Sequence, residues 1–459
     1  MTDRMVSNRA SKPVLLVLDA GTSCDFILMD AICKPLAKIC RVVLIAPDSS
    51  DRTSKAAAAI YWKVHTYKQS DCIFDVSPSL TSAPNAFSAV STILRECPKL
   101  VTETLGMVKL IRQCLQDYAP NVVISHYSFF NGGITRDISI PVVILHYAPG
   151  FPHEEHPSIN DTLMMRKSTT AQNERSWRSA FQSTVGLRVL LSTRNDVISR
   201  LKSLRLFRPL DMNDVENEVT KHLHVCCWPK GMIASKISPL GNTDRMIVMN
   251  AGIPLKCTKK TVKTKTRLRE KVQKWIKKST KPVCLFTLGS FVKKLTPKAV
   301  QKVVDSLSAY CILFLNMKVD DILVPSDALP VRGFVDYNWI VPKVGLVVFT
   351  GSVCLQYVCI CNETPMVMVP QLPEQYFWAR NYKKLTGTPY IYTRGSTLIN
   401  IGALKFDKRR RIKIEADHCA STIFDMVRFI VLGVKPRDQG RTSERAVKQA
   451  EGYLRRPRA

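Results

Sequence analysis

Three residues between an apolar run and a helix carry the first chemistry in this chain: Thr350, Gly351 and Ser352. Two hydroxyls and a glycine at the head of a helix stand beside exposed N–H groups, where the macrodipole favours a phosphate or other anion. A tight turn without chemistry has the same composition, so both readings stay open. Asp25 follows the first apolar run, at a position where aspartate caps a helix whatever its function. His126 and His146 each follow a strand end, either as hydrogen-bonded rim residues or in contact with a bound molecule. The densest set of metal-ligand types, His153, Glu154, Glu155 and His156, lies between Pro152 and Pro157, which make it an extended surface loop. No metal is expected there. Cys359 and Cys361 have no His or Cys partners at ligand spacing.

The elements that must position these residues read as alternating strands and helices. Leu346–Phe349 is a short apolar run bounded by Pro342 and Gly351, as a buried parallel strand reads. Val353 to Asn362 reads as a helix stopped by Pro365, and Met366 to Val369 as the next strand. The result is a compact βαβ unit with the small-residue turn at the helix head. Pro13 to Pro47 opens the chain in the same way, as strand, Gly-containing turn, amphipathic helix and strand. Asn121 to Ser125, Pro141 to Leu145, Val189 to Leu191, Leu223 to Cys227 and Met246 to Met249 read as further strands of that half. Arg52 to about Pro84 is polar and broken and reads as a long loop, and Ala86 to Asp117 as helix interrupted at Pro98. Downstream, Val283 to Leu288, Ile312 to Leu315 and Val331 to Phe334 are strands of a second half, and Ile423 to Leu432 is an apolar helix.

Composition bounds the function classes. The chain of 459 residues is 46% hydrophobic, enough for two domains with real cores. It has no apolar run of the length a membrane span needs, and its first residues lack a signal-peptide core. Fifteen cysteines, scattered mostly in apolar runs, read as reduced and buried, which implies a cytoplasmic location. The net charge of +30 points to an anionic partner: a membrane surface, nucleic acid or a diphosphate. No segment matches a nucleic-acid-binding module, so peripheral attraction to anionic membranes ranks ahead of nucleic acid. Lys256 to Lys281 is strongly basic with one acid, Glu270, and keeps a helical stripe through Leu268, Val272, Trp275 and Ile276. A solvated helix face is the plainer account of that run, and attraction to lipid headgroups the functional one.

The order of residues from Gly333 to Pro389 resembles the donor-binding signature of the UDP-glycosyltransferase superfamily, most closely its sterol and lipid glucosyltransferase branch. That branch has a Pro-His-Asp-Trp-Leu-Phe-Pro opening, two His, Gly-Gly and a helix, then Gly-x-Pro, a strand and Asp-Gln-x-Phe-Trp. Here the opening is Asp336-Tyr337-Asn338-Trp339-Ile340-Val341-Pro342, the turn Phe349-Thr350-Gly351-Ser352, the helix end Glu363-Thr364-Pro365, and the last part Glu374-Gln375-Tyr376-Phe377-Trp378. Gly21-Thr22-Ser23-Cys24-Asp25 is similar to the branch's Gly-Thr-x-Gly-Asp, with Cys24 in place of the second glycine.

What the resemblance implies is an α/β fold of two Rossmann-like domains facing each other across a cleft, the GT-B architecture. The expected division is an acceptor domain over 1–255, a basic linker and helix over 256–281, a donor domain over 282–435 and a basic tail over 436–459. The implied activity is inverting, metal-independent transfer of a hexose, glucose in that branch, from a UDP-sugar to a sterol or lipid hydroxyl. The UDP-sugar is a substrate and no cofactor is implied. Asp25 stands at the base position, Trp339 beside the nucleotide base, and Gly289, Ser290, Thr350, Gly351 and Ser352 at the diphosphate. Glu374 and Gln375 stand at the sugar hydroxyls, and Gly21, Thr22, His126 and His146 on the acceptor side. Thr350 replaces a histidine, Ser352 and Glu363 replace glycines, and Glu374 replaces an aspartate. These changes keep open the alternative of a catalytically degenerate relative that binds nucleotide-sugar, lipid or RNA without turnover.

Overall fold

The computed structural model describes residues 12–19, 23–48, 59–68, 98–127, 138–147, 220–228, 247–250, 267–288, 297–317, 322–333, 335–370, 373–386 and 419–433, with a few isolated positions besides. Two parallel sheets organise them. The first holds β1 (Val14–Leu18), β2 (Arg41–Pro47), β3 (Lys63–Tyr67), β4 (Val122–His126), β5 (Val142–His146), β6 (Leu223–Cys226) and β7 (Ile247–Asn250), in the order β3-β2-β1-β4-β5-β6-β7. The second holds β8 (Val283–Thr287), β9 (Cys311–Leu315), β10 (Leu329–Val331), β11 (Leu346–Phe349) and β12 (Met366–Met368), in the order β10-β9-β8-β11-β12. In both, the strand order reverses beside the first strand: between β1 and β4, and between β8 and β11. Crevices at such switch points, beyond the carboxyl ends of the strands, are where doubly wound sheets bind ligands.

The reason these segments become central strands is their uniform apolarity. Every residue of β4, β5, β8, β9 and β11 is buried, as strands covered on both faces require. One face of the second sheet, with Phe286 and Phe314 in edge contact at 5.5 Å, is covered by Val300, Val303 and Val304 of the helix Pro297–Asp305. The other face belongs to a continuous core that also takes in the first sheet. Helix Arg267–Lys278 enters that core through Val272, with Leu268, Trp275 and Ile276 packed beside it, the stripe expected from the sequence. The apolar helix Cys419–Leu432 packs against α1 (Ser23–Leu36) and β4, so the chain's last described long helix returns to the first sheet.

Two sequence expectations are corrected. Lys63–Tyr67 lies within the stretch read as a long loop, yet it pairs with β2 as the edge strand. Its residues are all at least partly exposed and include a lysine, as an edge tolerates and a strand covered on both faces does not. A helix begins at Pro98 and runs over Pro98–Tyr118, with the proline where its missing N–H costs no hydrogen bond; the stretch expected to be helical before it lies outside the described residues. The strand expected at Val331 to Phe334 runs instead over Leu329–Val331. The strand expected at Val189 to Leu191 lies outside the described residues.

Candidate functional site

At the second switch point, Phe349 pairs with Thr287 at the ends of β11 and β8, and the chain then turns through Thr350, Gly351 and Ser352 into the helix Val353–Cys361. Thr350 is buried. Gly351 has φ +106°, a conformation that disfavours any L side chain. A Cβ at Gly351 would lie 3.3 Å from the carbonyl oxygen of Gln375 and 3.4 Å from its Cβ. The glycine therefore lets the turn close against the start of a second helix, Pro373–Thr386, and brings together two parts of the signature that stand 24 residues apart. Ser352 is the N-cap of that helix: its hydroxyl oxygen accepts from the backbone N–H of Leu355 at 3.5 Å. One turn further on, the Gln356 side chain is fully buried, and neither its oxygen nor its nitrogen has a partner among the described residues.

The residues around the turn show why this sequence folds here as it does. Asp336 caps the short helix Tyr337–Ile340 by accepting from the Asn338 N–H at 2.9 Å. That helix sets Trp339 into the core at 3% exposure, with the Arg269 guanidinium 4.7 Å and the Lys343 ammonium 5.6 Å from its ring centroid. Trp339 thus ties the basic helix Arg267–Lys278 to the signature through its π face. Glu363, just beyond the end of the helix Val353–Cys361, has φ +52°, a left-handed conformation that favours glycine and strains a glutamate.

At the first switch point the chemistry differs. Leu18 pairs with Ser125, so the next residues on the two strands, Asp19 and His126, stand side by side. Both are buried, and His126 is 5% exposed. Burial lowers the His126 pKa to about 4, against a smaller opposing pull from the Asp19 carboxylate. One strand over, His146 is fully buried and shares a hydrogen bond of 2.8 Å between its Nε2 and Nδ1 of His224 on β6. Its pKa is held well below the usual value by burial first, then by His224 and His126. The His-Tyr pairs at the two strand ends interlock: His126 lies 5.4 Å from Tyr147, and Tyr127 stacks on His146 at 5.8 Å. The arrangement holds the imidazoles neutral, with Asp19 next to the first of them.

The other expected site residues fall as follows. Asp25 is the third residue of α1, and its side chain is outside what the structure describes. Glu374 is the second residue of the helix Pro373–Thr386, again without a described side chain, while Gln375 is buried. Gly21, Thr22, Gly289 and Ser290 lie outside the described residues. So does the His153–His156 cluster, and among the described residues no group of three His, Cys, Asp or Glu could hold a metal. Sequence reasoning missed Asp19 and His224. Asp19 had one signal, an aspartate directly after the first buried strand, and His224 stood inside an otherwise apolar strand.

No family model and no curated protein matches the chain in sequence. The likeness is in the fold. A UDP-glucosyltransferase from Polygonum tinctorium capable of glucosylating indoxyl is similar over 97% of this chain and 100% of its own, at 11% identity and a TM-score of 0.55. The calicheamicin glycosyltransferase CalG4 is similar over 96% and 98%, at 15% identity and a TM-score of 0.51. The spinosyn rhamnosyltransferase SpnG is similar over 96% of both chains, at 12% identity and a TM-score of 0.50. The two parallel-sheet α/β domains are those of the GT-B glycosyltransferase architecture.

Proposed function

We propose that the protein transfers a sugar from a nucleotide-sugar to an acceptor hydroxyl, with a UDP-hexose, glucose in the first place, as sugar donor and a sterol or lipid-like molecule as acceptor. The observation that carries the reading is the closure of the Thr350-Gly351-Ser352 turn on Gln375 at the second switch point. The turn sets Thr350 and Ser352 at a helix head whose N–H groups suit a diphosphate, and the resemblance assigns Glu374 and Gln375, on the adjoining helix, to the sugar. Sterol or lipid as acceptor, and glucose as the sugar, rest on the resemblance of the signature alone.

In this reading a base takes the proton of the acceptor hydroxyl as its oxygen bonds to the anomeric carbon. The bond from that carbon to the diphosphate breaks, UDP leaves with the electron pair, and the configuration inverts. Positive dipole and hydroxyl donors at the turn balance the charge that develops on UDP. Asp25 is the base that the resemblance implies. The register of β1 and β4 favours a second candidate, His126 with Asp19 beside it. The neutral imidazole can receive the proton, and the neighbouring carboxylate would stabilise the imidazolium.

A screen of UDP-sugar hydrolysis and transfer against sterols and lipids, with Asp25→Ala alongside, tests the activity. Transfer to a lipid hydroxyl that the variant lacks is the expected result. UDP binding without transfer to any acceptor would support a binding protein of the same architecture, the reading favoured by the altered turn. Absence of any preference for uridine nucleotides in calorimetry would overturn both.

A further inference from the structure

The helix Pro373–Thr386 touches both halves of the molecule. At its start, Gln375 lies against the Gly351 turn. One turn on, Trp378 meets Trp228 edge to face, with ring centroids 5.8 Å apart and planes at 73°. Trp228 stands two residues after β6 of the first sheet, and neither tryptophan has any exposed surface. Another turn on, the Asn381 side-chain amide donates to the backbone carbonyl of Met232, also in the first half of the chain. Residues 375, 378 and 381 advance along one helix by three at a time, so these contacts form a row about 9 Å long.

The composition of the row is not what simple adhesion would select. Both indole N–H groups are buried, and neither donates to a described residue. An unsatisfied buried donor is costly, and phenylalanine in either place would keep the ring contact without that cost. Asn381 spends a buried amide on a main-chain carbonyl, a contact that fixes direction and distance more than it adds stability.

We propose that this helix is a strap that sets the width of the cleft, with Trp378 and Asn381 as positioning residues. The strap fixes the distance between what the turn and Gln375 hold and what the edge of β1 and β4 presents. The inference rests on the reading of the cleft as a transfer site, but the strap itself can be tested without it. Small-angle scattering on the wild-type chain, Asn381→Leu and Trp378→Ala measures the separation of the two halves. Calorimetry with UDP and turnover with a transferred acceptor are measured on the same proteins.

Both variants are expected to show a larger radius of gyration. UDP affinity should stay within about threefold, because the turn is intact, while kcat falls tenfold or more with little change in the KM for the UDP-sugar. A radius of gyration unchanged in both variants, or a loss confined to UDP affinity, overturns the strap. Should Trp378→Ala fail to fold, Asn381→Leu decides alone, since it removes the contact to Met232 and leaves both rings in place. Should the wild-type protein bind no uridine nucleotide, the transfer reading fails and scattering alone decides the strap.

Discussion

The two switch points share a topology and differ in chemistry. Between β8 and β11 the described edge offers a threonine, a glycine and a serine at a helix head, with no ionisable group in the turn. Between β1 and β4 it offers Asp19 and His126, backed by the hydrogen-bonded pair His146 and His224. A fixed array of hydroxyls and amides suits an anion whose charge is permanent, since nothing in it needs to titrate. A buried imidazole beside a carboxylate suits a proton that must move. The same strand order therefore supports two tasks, and the side chains at the strand ends divide them.

That division is broken most sharply by removing a base. Asp25→Ala and His126→Gln are each expected to leave UDP affinity within about twofold. The true base should lose transfer by about 10²- to 10⁴-fold when replaced, and the other residue by far less. Asp19→Asn separates them further, since it should impair transfer only if His126 is the base. Equal and small losses in all three variants would remove the first switch point from the chemistry.

Changes at the turn should act the other way, on binding more than on the chemical step. Gly351→Ala places a side chain at φ +106° and 3.3 Å from the Gln375 carbonyl. Strain of about 1–3 kcal/mol predicts a loss of UDP affinity of roughly 10- to 100-fold by calorimetry. Thr350→Val and Ser352→Ala should each weaken UDP by about tenfold, the worth of one hydrogen bond to a charged group. Unchanged affinity in both hydroxyl variants would make the turn a structural bend.

A smaller effect separates the domains by pH. His126 and His146 have folded pKa values below the ordinary 6.5, so the folded chain binds fewer protons than the unfolded one in that range. Stability should therefore be full above pH 6.5 and fall as pH drops from about 6.5 toward 4, by on the order of 1 kcal/mol per pH unit for each histidine. Urea midpoints at stepped pH values measure this, and His126→Gln should flatten the slope. A slope unchanged in the variant would mean that His126 is protonated in the folded chain.

The smallest expected effect lies on the helix Arg267–Lys278. Arg267, Lys271, Lys274 and Lys278 form one exposed row on its outer side. As a proposal, that row attracts the protein to anionic membranes, and no described helix is long and apolar enough to cross one. Lys274→Gln should reduce co-sedimentation with anionic vesicles by about fivefold and leave neutral vesicles unaffected. Equal binding to both vesicle types would make the row a solvated surface.

The sequence by itself determined the elements whose chemistry is local. The turn at Thr350, its flanking strand Leu346–Phe349 and the helix after it were legible because a buried parallel strand must be an unbroken apolar run. The basic helix was legible because its apolar residues recur at helical spacing. Lys63–Tyr67 was not, since an edge strand is free to carry polar residues and loses the pattern that betrays a strand. The resemblance assigned Gly351 and Gln375 to one donor site, but neither their contact nor the positive φ that permits it could be read from the sequence. Tertiary structure alone decided the pairings across long separations: Asp19 with His126 through the register of β1 and β4, His146 with His224 through β5 and β6, and Trp378 with Trp228 across the two halves. Parallel strands joined by crossovers bring residues 78 to 107 positions apart into one plane, and no local periodicity records which strand lies beside which.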